Sequence, residues 1–328
     1  MASDPLSEVL QDLRPSGVSY GHCRLSRPWG VEFPPDGSAR LHLVVEGQSW
    51  LRTASFGPTR LAPGDVALLP TGVGHAMADT PRGRTKPLAA LPSEEIGDRI
   101  FRIESGGGRS VTIMACCNVV FEQPALNPLL ALMPAVIHVK RAVLDDPALP
   151  GLLDAMSSEV LDQRVGAATV LARLADVVIT RLIRTWVEGG YKENREHTAG
   201  WLAAIRDPKI GRSLGAIHRK PEQPWTVEAL ARLAGLSRSM FSERFTAVMG
   251  VPPARYLASW RMHLASGWLL NDRLTVSQVS AKLGYESEPS FSRAFKRYVG
   301  VPPSALRRPR PAAAHLSRSV SMQWNRRD

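Results

Sequence analysis

Apolar positions along the chain change rhythm twice. From about Cys23 to Gln123 they fall in short runs, such as Leu41–Val45, Val66–Leu69 and Val111–Ala115, cut by Pro34-Pro35-Asp36-Gly37, Pro63-Gly64-Asp65 and Gly106-Gly107-Gly108. Short runs closed by turns of this kind predict the strands of a β-sandwich or barrel. The polar stretch Thr80–Glu95 reads as a loop. From about Leu126 to Glu188 the rhythm lengthens. Leu152, Leu153, Met156, Val160 and Leu161 recur near helical spacing, as do Val170, Leu171, Leu174, Val178, Leu182 and Ile183. The second set is apolar around much of its circumference, which predicts burial, a second subunit being one cover for it. Gly189-Gly190 closes it, and residues 191–224 read as a linker with one short helix ending at Pro221 and Pro224. Ahead of the strands, Leu6, Val9, Leu10 and Leu13 suggest a short amphipathic helix.

The last third contains an internal repeat. Residues 226–253 read TVEALARLAGLSRSMFSERFTAVMGVPP and residues 275–303 read TVSQVSAKLGYESEPSFSRAFKRYVGVPP. The offset is 49 residues before the turn and 50 after it, so Phe241 and Phe245 recur as Phe291 and Phe295. Each copy predicts helix, turn, helix. In the first, Thr226 caps, Val227, Leu230, Leu233 and Ala234 face inward, Gly235 turns, and Ser237 caps a second helix with the stripe Phe241, Phe245 and Val248. Gly250 and Pro252-Pro253 end it. In the second, Thr275 and Gln278 form a capping-box pattern, and Val276, Val279 and Leu283 face inward. Gly284 turns, Ser287 caps, Pro289 sits in the first turn, and Phe291, Phe295 and Tyr298 make the stripe.

Pinning the stripes inward fixes what faces out. The first outer face carries Arg238, Ser239, Ser242 and Glu243, and the second Glu288, Ser290, Ser292, Arg293 and Lys296. A helix of this kind fits the major groove and presents its N-terminal side chains to base edges. Arg244, Lys296 and Arg297 are placed for phosphates, which position without specifying. Charge agrees. The formal net charge is +11, yet residues 1–210 hold 22 Lys and Arg against 23 Asp and Glu, whereas residues 211–328 hold 19 against 7. The whole positive excess lies with the repeat, as expected of a segment that meets a polyanion, although charge alone fits a basic tail on a soluble enzyme as well; the paired helix-turn-helix units make that polyanion double-stranded DNA. The segment after Arg307, rich in Arg, Pro, Ala and Ser, reads as a disordered basic tail over 309–328.

Composition removes other classes. No apolar run approaches the ~18 residues of a membrane span. The N-terminal text has neither the basic start nor the apolar stretch of a secretion signal, and three cysteines, two adjacent, make no disulfide framework. A cytoplasmic, membrane-free protein is expected.

Residues 210–308 resemble the DNA-binding domain of the AraC family of transcription regulators. The resemblance is carried by both repeat copies, by Tyr256, Leu257, Arg261, Ala265 and Leu269-Leu270 between them, and by Gly284-Tyr285-Glu286-Ser287 with Phe291-Ser292-Arg293-Ala294-Phe295-Lys296. It implies a long central helix holding two reading helices about one DNA turn apart, in successive major grooves. It also implies activation of transcription and RNA polymerase as a partner. Ser239, Ser242, Glu243, Glu288, Ser292 and Arg293 match its base-reading positions. Small Ser239 and acidic Glu243 depart from members with large or amide residues there.

The N-terminal part, about residues 20–121, resembles the cupin β-barrel. Gly64, Pro70, Gly72 and His75 fall at the spacing of its second motif, with Asp79 where Asn is usual, and Val45-Glu46-Gly47 is similar to the end of its first. Asp207-Pro208-Lys209-Ile210-Gly211 and Pro224-Trp225-Thr226 are similar to the linkers of cupin-bearing AraC regulators. In cupin enzymes the first motif supplies two His and a Glu to a metal. Here the Glu position is Arg40 and Phe33–Asp36 contains no His, so that ligand set is broken.

His42 and His75 are then either satisfied barrel histidines or, with Cys23, Cys116 and Cys117, parts of a sensor. Sulfur with imidazole, in particular His42, His75 and Cys116, suits a transition metal such as Cu(I) or Zn(II). Cys23 with Cys116 suits a redox switch. Cys116 and Cys117 point to opposite strand faces, so at most one enters the barrel. The expectation is therefore two domains. Residues 1–190 form a cupin-like β-barrel with appended helices for dimerisation or relay, and residues 225–308 an all-α double helix-turn-helix. The protein is expected to be a DNA-binding regulator answering to a small molecule, metal or redox signal, and able to form a homodimer. A DNA-tethered cupin enzyme and a sequence-neutral DNA-packaging protein are the alternatives.

Overall fold

The computed structural model describes residues 15–55, 57–121, 130, 133–141, 146–162, 164–189, 207–270, 272 and 274–306. The expected N-terminal helix, the start of the 126–188 segment, the linker up to residue 206 and the basic tail lie outside the described residues. The described residues fall into two compact units, one within residues 15–121 and 134–189, the other mainly within residues 207–306.

The first unit is built on two sheets. One holds seven strands in the order β12 (Ile137–Val139), β6 (Val66–Leu69), β3 (Ala39–Glu46), β11 (Val111–Phe121), β1 (Pro15–Ser26), β10 (Ile100–Ser105) and β9 (Ser93–Gly97). The other holds five: β5 (Thr59–Leu61), β4 (Ser49–Thr53), β7 (His75–Ala78), β2 (Gly30–Phe33) and β8 (Lys86–Pro87). Strand alternation sorts the long strands into two faces. Cys23, Leu25, Val44, Ala67 and Met114 join Trp29, Val31, Phe33, Leu51 and Met77 in one buried cluster. The opposite face, with Leu41, Leu43, Val66, Leu68, Cys117 and Val119, is buried as well. Helices α1 (Leu149–Asp162) and α2 (Ala167–Gly189) pack together there, on β1, β11 and β12. Covering both faces is why β3 reads as a nearly continuous apolar run rather than an alternating one.

Sequence expectation and structure differ at several places in this unit. Thr80–Glu95 is not simply a loop, since it contains β8, a 3₁₀ turn over Leu88–Ala90 and the start of β9. Those strands are short and lie at sheet edges, where polar residues are tolerated, so apolar patterning does not mark them. On the helices, Leu161 is 53% and Val170 44% exposed, while Leu153, Met156, Val160, Leu171, Val178, Leu182 and Ile183 are buried.

The second unit is helical. α3 (Pro208–Arg219) opens it; the one short helix expected before Pro221 is present, but it packs into this unit rather than serving as linker. Asp207 caps α3 by accepting from the Lys209 and Ile210 backbone N–H groups. Ile210, Leu214 and Ile217 are buried, α3 packs on the next helix, and Ser213 Oγ donates to the Leu230 carbonyl at 2.8 Å. Next come α4 (Val227–Ala234), α5 (Arg238–Met249), α6 (Pro253–Leu270), α7 (Val276–Lys282), α8 (Glu288–Val299) and α9 (Pro303–Leu306).

The repeat is reproduced in three dimensions. Thr226, Ser237, Thr275 and Ser287 each cap the helix that follows, and Thr275 with Gln278 completes the capping box. Gly235, with φ of 65°, takes the left-handed turn conformation that a Cβ disfavours. Phe241 and Phe245 lie 5.5 Å apart at 54°, and Phe291 and Phe295 lie 5.5 Å apart at 52°. All four are fully buried, each contributing roughly 1.5–3 kcal/mol of hydrophobic stabilisation. Two inward assignments shift: Leu233 is 40% exposed while Ala231 is buried, and Met249 is more buried than Val248. The helical period allows either neighbour at the edge of a stripe, and the partner helix decides.

Candidate nucleic-acid interface and sensor core

With the phenylalanines inward, the outer face of each second helix is open. Arg238, Ser239, Glu243 and Arg244 on α5 are exposed and Ser242 is half-buried. On α8, Glu288, Arg293, Lys296 and Arg297 are exposed, with Ser290 and Ser292 half-buried. α6 packs against both α5 and α8, so one helix carries both halves. Two arginines are engaged within the unit. Arg238 pairs with Glu228 at 2.9 Å. Arg244 Nε donates to Asp207 at 2.5 Å, and this bond with the two backbone donors holds the Asp207 carboxyl below its ordinary value against the opposing effect of burial. Arg244, expected to be a plain phosphate contact, thus also ties α5 to the start of α3. The sequence reading passed over Met240, which is 57% exposed at the position matching Ser290. Its place one residue before Phe241 was the available signal.

In the first unit the structure brings together four of the five sensor candidates. His42 Nε2 meets His75 Nε2 at 2.9 Å, and His42 Nδ1 meets Cys116 Sγ at 3.1 Å. Cys116 Sγ lies 3.9 Å from Cys23 Sγ, and His75 Nδ1 lies 2.9 Å from the Val73 carbonyl. Cys117 points to the other face, as alternation requires, where burial pushes its thiol up. Strand register explains the grouping. Cys116 is opposite His42 across β11 and β3 and opposite Gly21 across β11 and β1, which places Cys23 diagonally beside it.

The proton positions in this chain follow from chemistry. A carbonyl only accepts, so His75 Nδ1 carries a hydrogen. Burial lowers His75 to about 4 and His42 well below the ordinary value, so both rings are neutral near pH 7. His75 Nε2 is then an acceptor, His42 Nε2 a donor and His42 Nδ1 an acceptor. Cys116 must therefore donate its thiol proton to His42. The Cys23 thiol beside it, and then burial, hold the Cys116 thiol well above its ordinary value. The result is a directed relay from Cys116 through His42 and His75 to the Val73 carbonyl.

The cupin metal arrangement is replaced. Phe33, in the stretch that would supply histidines, stacks on His75 with ring centres 4.6 Å apart at 6°. Arg40, at the Glu position, lies 5.2 Å over that Phe33 ring and pairs with Asp36. His42 spends one nitrogen on Cys116 and the other on His75, so these donors form a line rather than converging on a point. Among the described residues no group of three His, Cys, Asp or Glu is arranged to hold a metal ion. No described helix is long and apolar enough to cross a membrane.

Comparison with known proteins agrees with this anatomy. Residues 4–188 match the family model described as Cupin, and residues 230–309 match a helix-turn-helix domain model. A putative AraC-like transcription regulator of Streptomyces antibioticus is 30% identical over 313 residues, covering 93% of this chain and 98% of that protein. The RCS-specific HTH-type transcriptional activator RclR of Escherichia coli is 26% identical over 309 residues, 93% of this chain and 97% of its own. The DNA-binding domain of AdpA, a global transcriptional factor solved with a target DNA, is 28% identical with a TM-score of 0.29, covering 34% of this chain and 95% of that one. These relatives are transcription regulators, not enzymes. With a cupin domain joined to two helix-turn-helix units, the chain belongs to the AraC family of DNA-binding transcription regulators.

Proposed function

We propose that this regulator reads a specific DNA site with the outer faces of α5 and α8 and receives an oxidant signal at the Cys23–Cys116 pair. The DNA-reading part is supported by the exposure of Arg238, Ser239, Glu243, Glu288 and Arg293, with Ser242, Ser290 and Ser292 beside them. Lys296, Arg297 and the free edge of Arg244 are left for phosphates. The signal-receiving part rests on one observation: a Cys116 thiol bonded to His42 with a second thiol 3.9 Å away.

The chemistry balances with a small neutral oxidant such as hydrogen peroxide. Cys116 sulfur attacks one peroxide oxygen while its proton passes by way of His42 to the departing oxygen; the O–O bond breaks, water leaves, and a sulfenic acid remains. Cys23 sulfur then attacks Cys116 sulfur, the S–S bond forms, and the hydroxyl leaves as water with the Cys23 proton. Closing from 3.9 Å to the about 2.0 Å of a disulfide shifts the two sulfurs between strands that are already paired and removes the Cys116 proton from His42. That displacement distinguishes two states, as a signal must.

The test treats the purified full chain with hydrogen peroxide or hypochlorous acid. Thiols are mapped by mass spectrometry, and binding is followed on a DNA site selected from a random pool. A Cys23–Cys116 disulfide should form, with a change in DNA affinity that Cys23→Ser and Cys116→Ser both abolish. A Cys116→Ser protein that responds like wild type defeats the oxidant reading. Elemental analysis of the same sample addresses the other signal left open by the sequence, a transition metal on His42, His75 and Cys116. Stoichiometric metal would replace the oxidant reading. A small-molecule effector would leave the thiols unchanged. The same reading includes a cytoplasmic setting, activation through RNA polymerase, and a homodimer. The homodimer is supported by Val170 and Val177, which are 44% and 43% exposed on α2.

A further inference from the structure

One loop of the DNA-binding unit is held from two directions. The loop joining α3 to α4 contains Pro221, Glu222 and Gln223, and the first helix-turn-helix starts just beyond it. Arg261, midway along α6, donates from Nε to the Pro221 carbonyl at 2.6 Å and from Nη2 to the Gln223 carbonyl at 2.7 Å. The same guanidinium lies 5.8 Å from the centre of the Tyr285 ring. Tyr285 belongs to the turn of the second helix-turn-helix. At that turn Gly284 approaches the loop so closely that a Cβ would sit 2.1 Å from the Glu222 carbonyl oxygen, and its φ of 70° also favours glycine. First-half backbone, central helix and second-half turn thus meet at one guanidinium.

The hydrophobic contacts of α6 with each half are non-directional, and side chains can slide within them. A planar guanidinium that donates to two carbonyls of one loop while facing an aromatic ring is directional in all three contacts. It stiffens the angle between the halves in a way apolar packing does not. We infer that Arg261 is a positioning residue for DNA recognition: by tying the Pro221–Gln223 loop to the Gly284-Tyr285 turn it sets the register between α5 and α8, and with it the half-site spacing the protein accepts. This rests on the reading that both helices enter the same duplex.

The experiment begins with a site selected from random DNA by the full-length wild-type chain. Affinity is then measured for that site and for versions with one base pair inserted or removed between the half-sites. Proteins compared are wild type, Arg261→Met, Arg261→Lys and Gly284→Ala, with thermal melting as the check on folding. Wild type should lose about tenfold or more when the spacing changes, a shift of ~1.4 kcal/mol. Arg261→Met should lose less than about threefold across the set while keeping its base preference within each half-site, with Arg261→Lys between the two. Gly284→Ala, which displaces the same loop without touching Arg261, should resemble Arg261→Met. If it does not fold, the two Arg261 variants decide the matter. An Arg261→Met protein with wild-type spacing discrimination overturns the inference. So does one that weakens equally on every spacing in step with a lowered melting temperature. A wild type that selects a site but tolerates either spacing overturns the register alone, whereas a wild type that selects no sequence overturns the DNA-reading proposal beneath it.

Discussion

The DNA-binding unit should be acid-labile, and the cause is a buried column of rings between α3 and α6. His218 stacks on Trp260 with ring centres 4.3 Å apart, and Trp260 lies 5.5 Å from His263. His218 Nε2 bonds the Tyr256 hydroxyl at 2.8 Å. His218 Nδ1, Trp260 Nε1 and His263 Nδ1 are buried and meet no hydrogen-bond partner among the described residues. Burial first, then the neighbouring His263 and Arg219, lowers His218 from 6.5 to about 3, and burial lowers His263 to about 4. Folded values below unfolded ones mean that the stability is complete above pH 6.5. It is lost as pH falls from there toward 4 and 3, because only the unfolded chain takes up the protons. At pH 5.0 each ring costs about 2 kcal/mol relative to pH 7.5, so about 4 kcal/mol for the pair. That is a large part of the 5–15 kcal/mol typical of a domain. Urea unfolding of the full chain at the two pH values, followed by tryptophan fluorescence and near-UV circular dichroism, measures the loss. His218→Gln cannot titrate and should lose about 2 kcal/mol less between the two pH values than wild type does. His42 and His75, buried in the other unit, contribute equally to both proteins and cancel. Equal losses in wild type and His218→Gln would refute the reasoning.

Other expectations follow from the same contacts. Arg293→Ala should relax sequence preference at one position by about 1–3 kcal/mol per bidentate base contact, whereas Lys296→Ala should weaken binding about equally on all sequences and flatten its salt dependence; competition binding at two salt concentrations separates them. Asp207→Ala removes the cap of α3 and the partner of Arg244, and should lower stability by roughly 1–3 kcal/mol in thermal unfolding. Arg244→Ala, whose side chain is 53% exposed, should cost less than about 1 kcal/mol in the same assay. Phe291→Ala, which empties a fully buried site, should cost about 3–5 kcal/mol and abolish DNA binding at the growth temperature.

The C-terminal unit was almost wholly legible in the sequence. Caps at Thr226, Ser237, Thr275 and Ser287, turns at Gly235 and Gly284, and phenylalanines four apart are decided by residues within one or two helical turns of each other. The outward side chains of α5 and α8 followed from the same periodicity. The first unit was legible as strands and turns, and the broken cupin ligand set at Arg40 and Phe33 could be read directly. What was missed lay at edges. β8 and β9 are polar edge strands, Leu233 and Met249 sit on the margins of a stripe, and Met240 looked apolar where an outward position was in play.

Local rules, then, decided the helices, their stops and the side each turns outward, because capping and helical period act between neighbours in the chain. Only the packed molecule decided which distant groups meet. Cys23 and Cys116 stand 93 residues apart, and their contact depends on the register of β1 against β11. Arg244 finds Asp207 across 37 residues, and Arg261 the Pro221 carbonyl across 40. Such contacts are chosen by the fit of whole sheets and helices against one another, and each side chain is only one term in that fit. No short window of sequence carries the information that would name its partner.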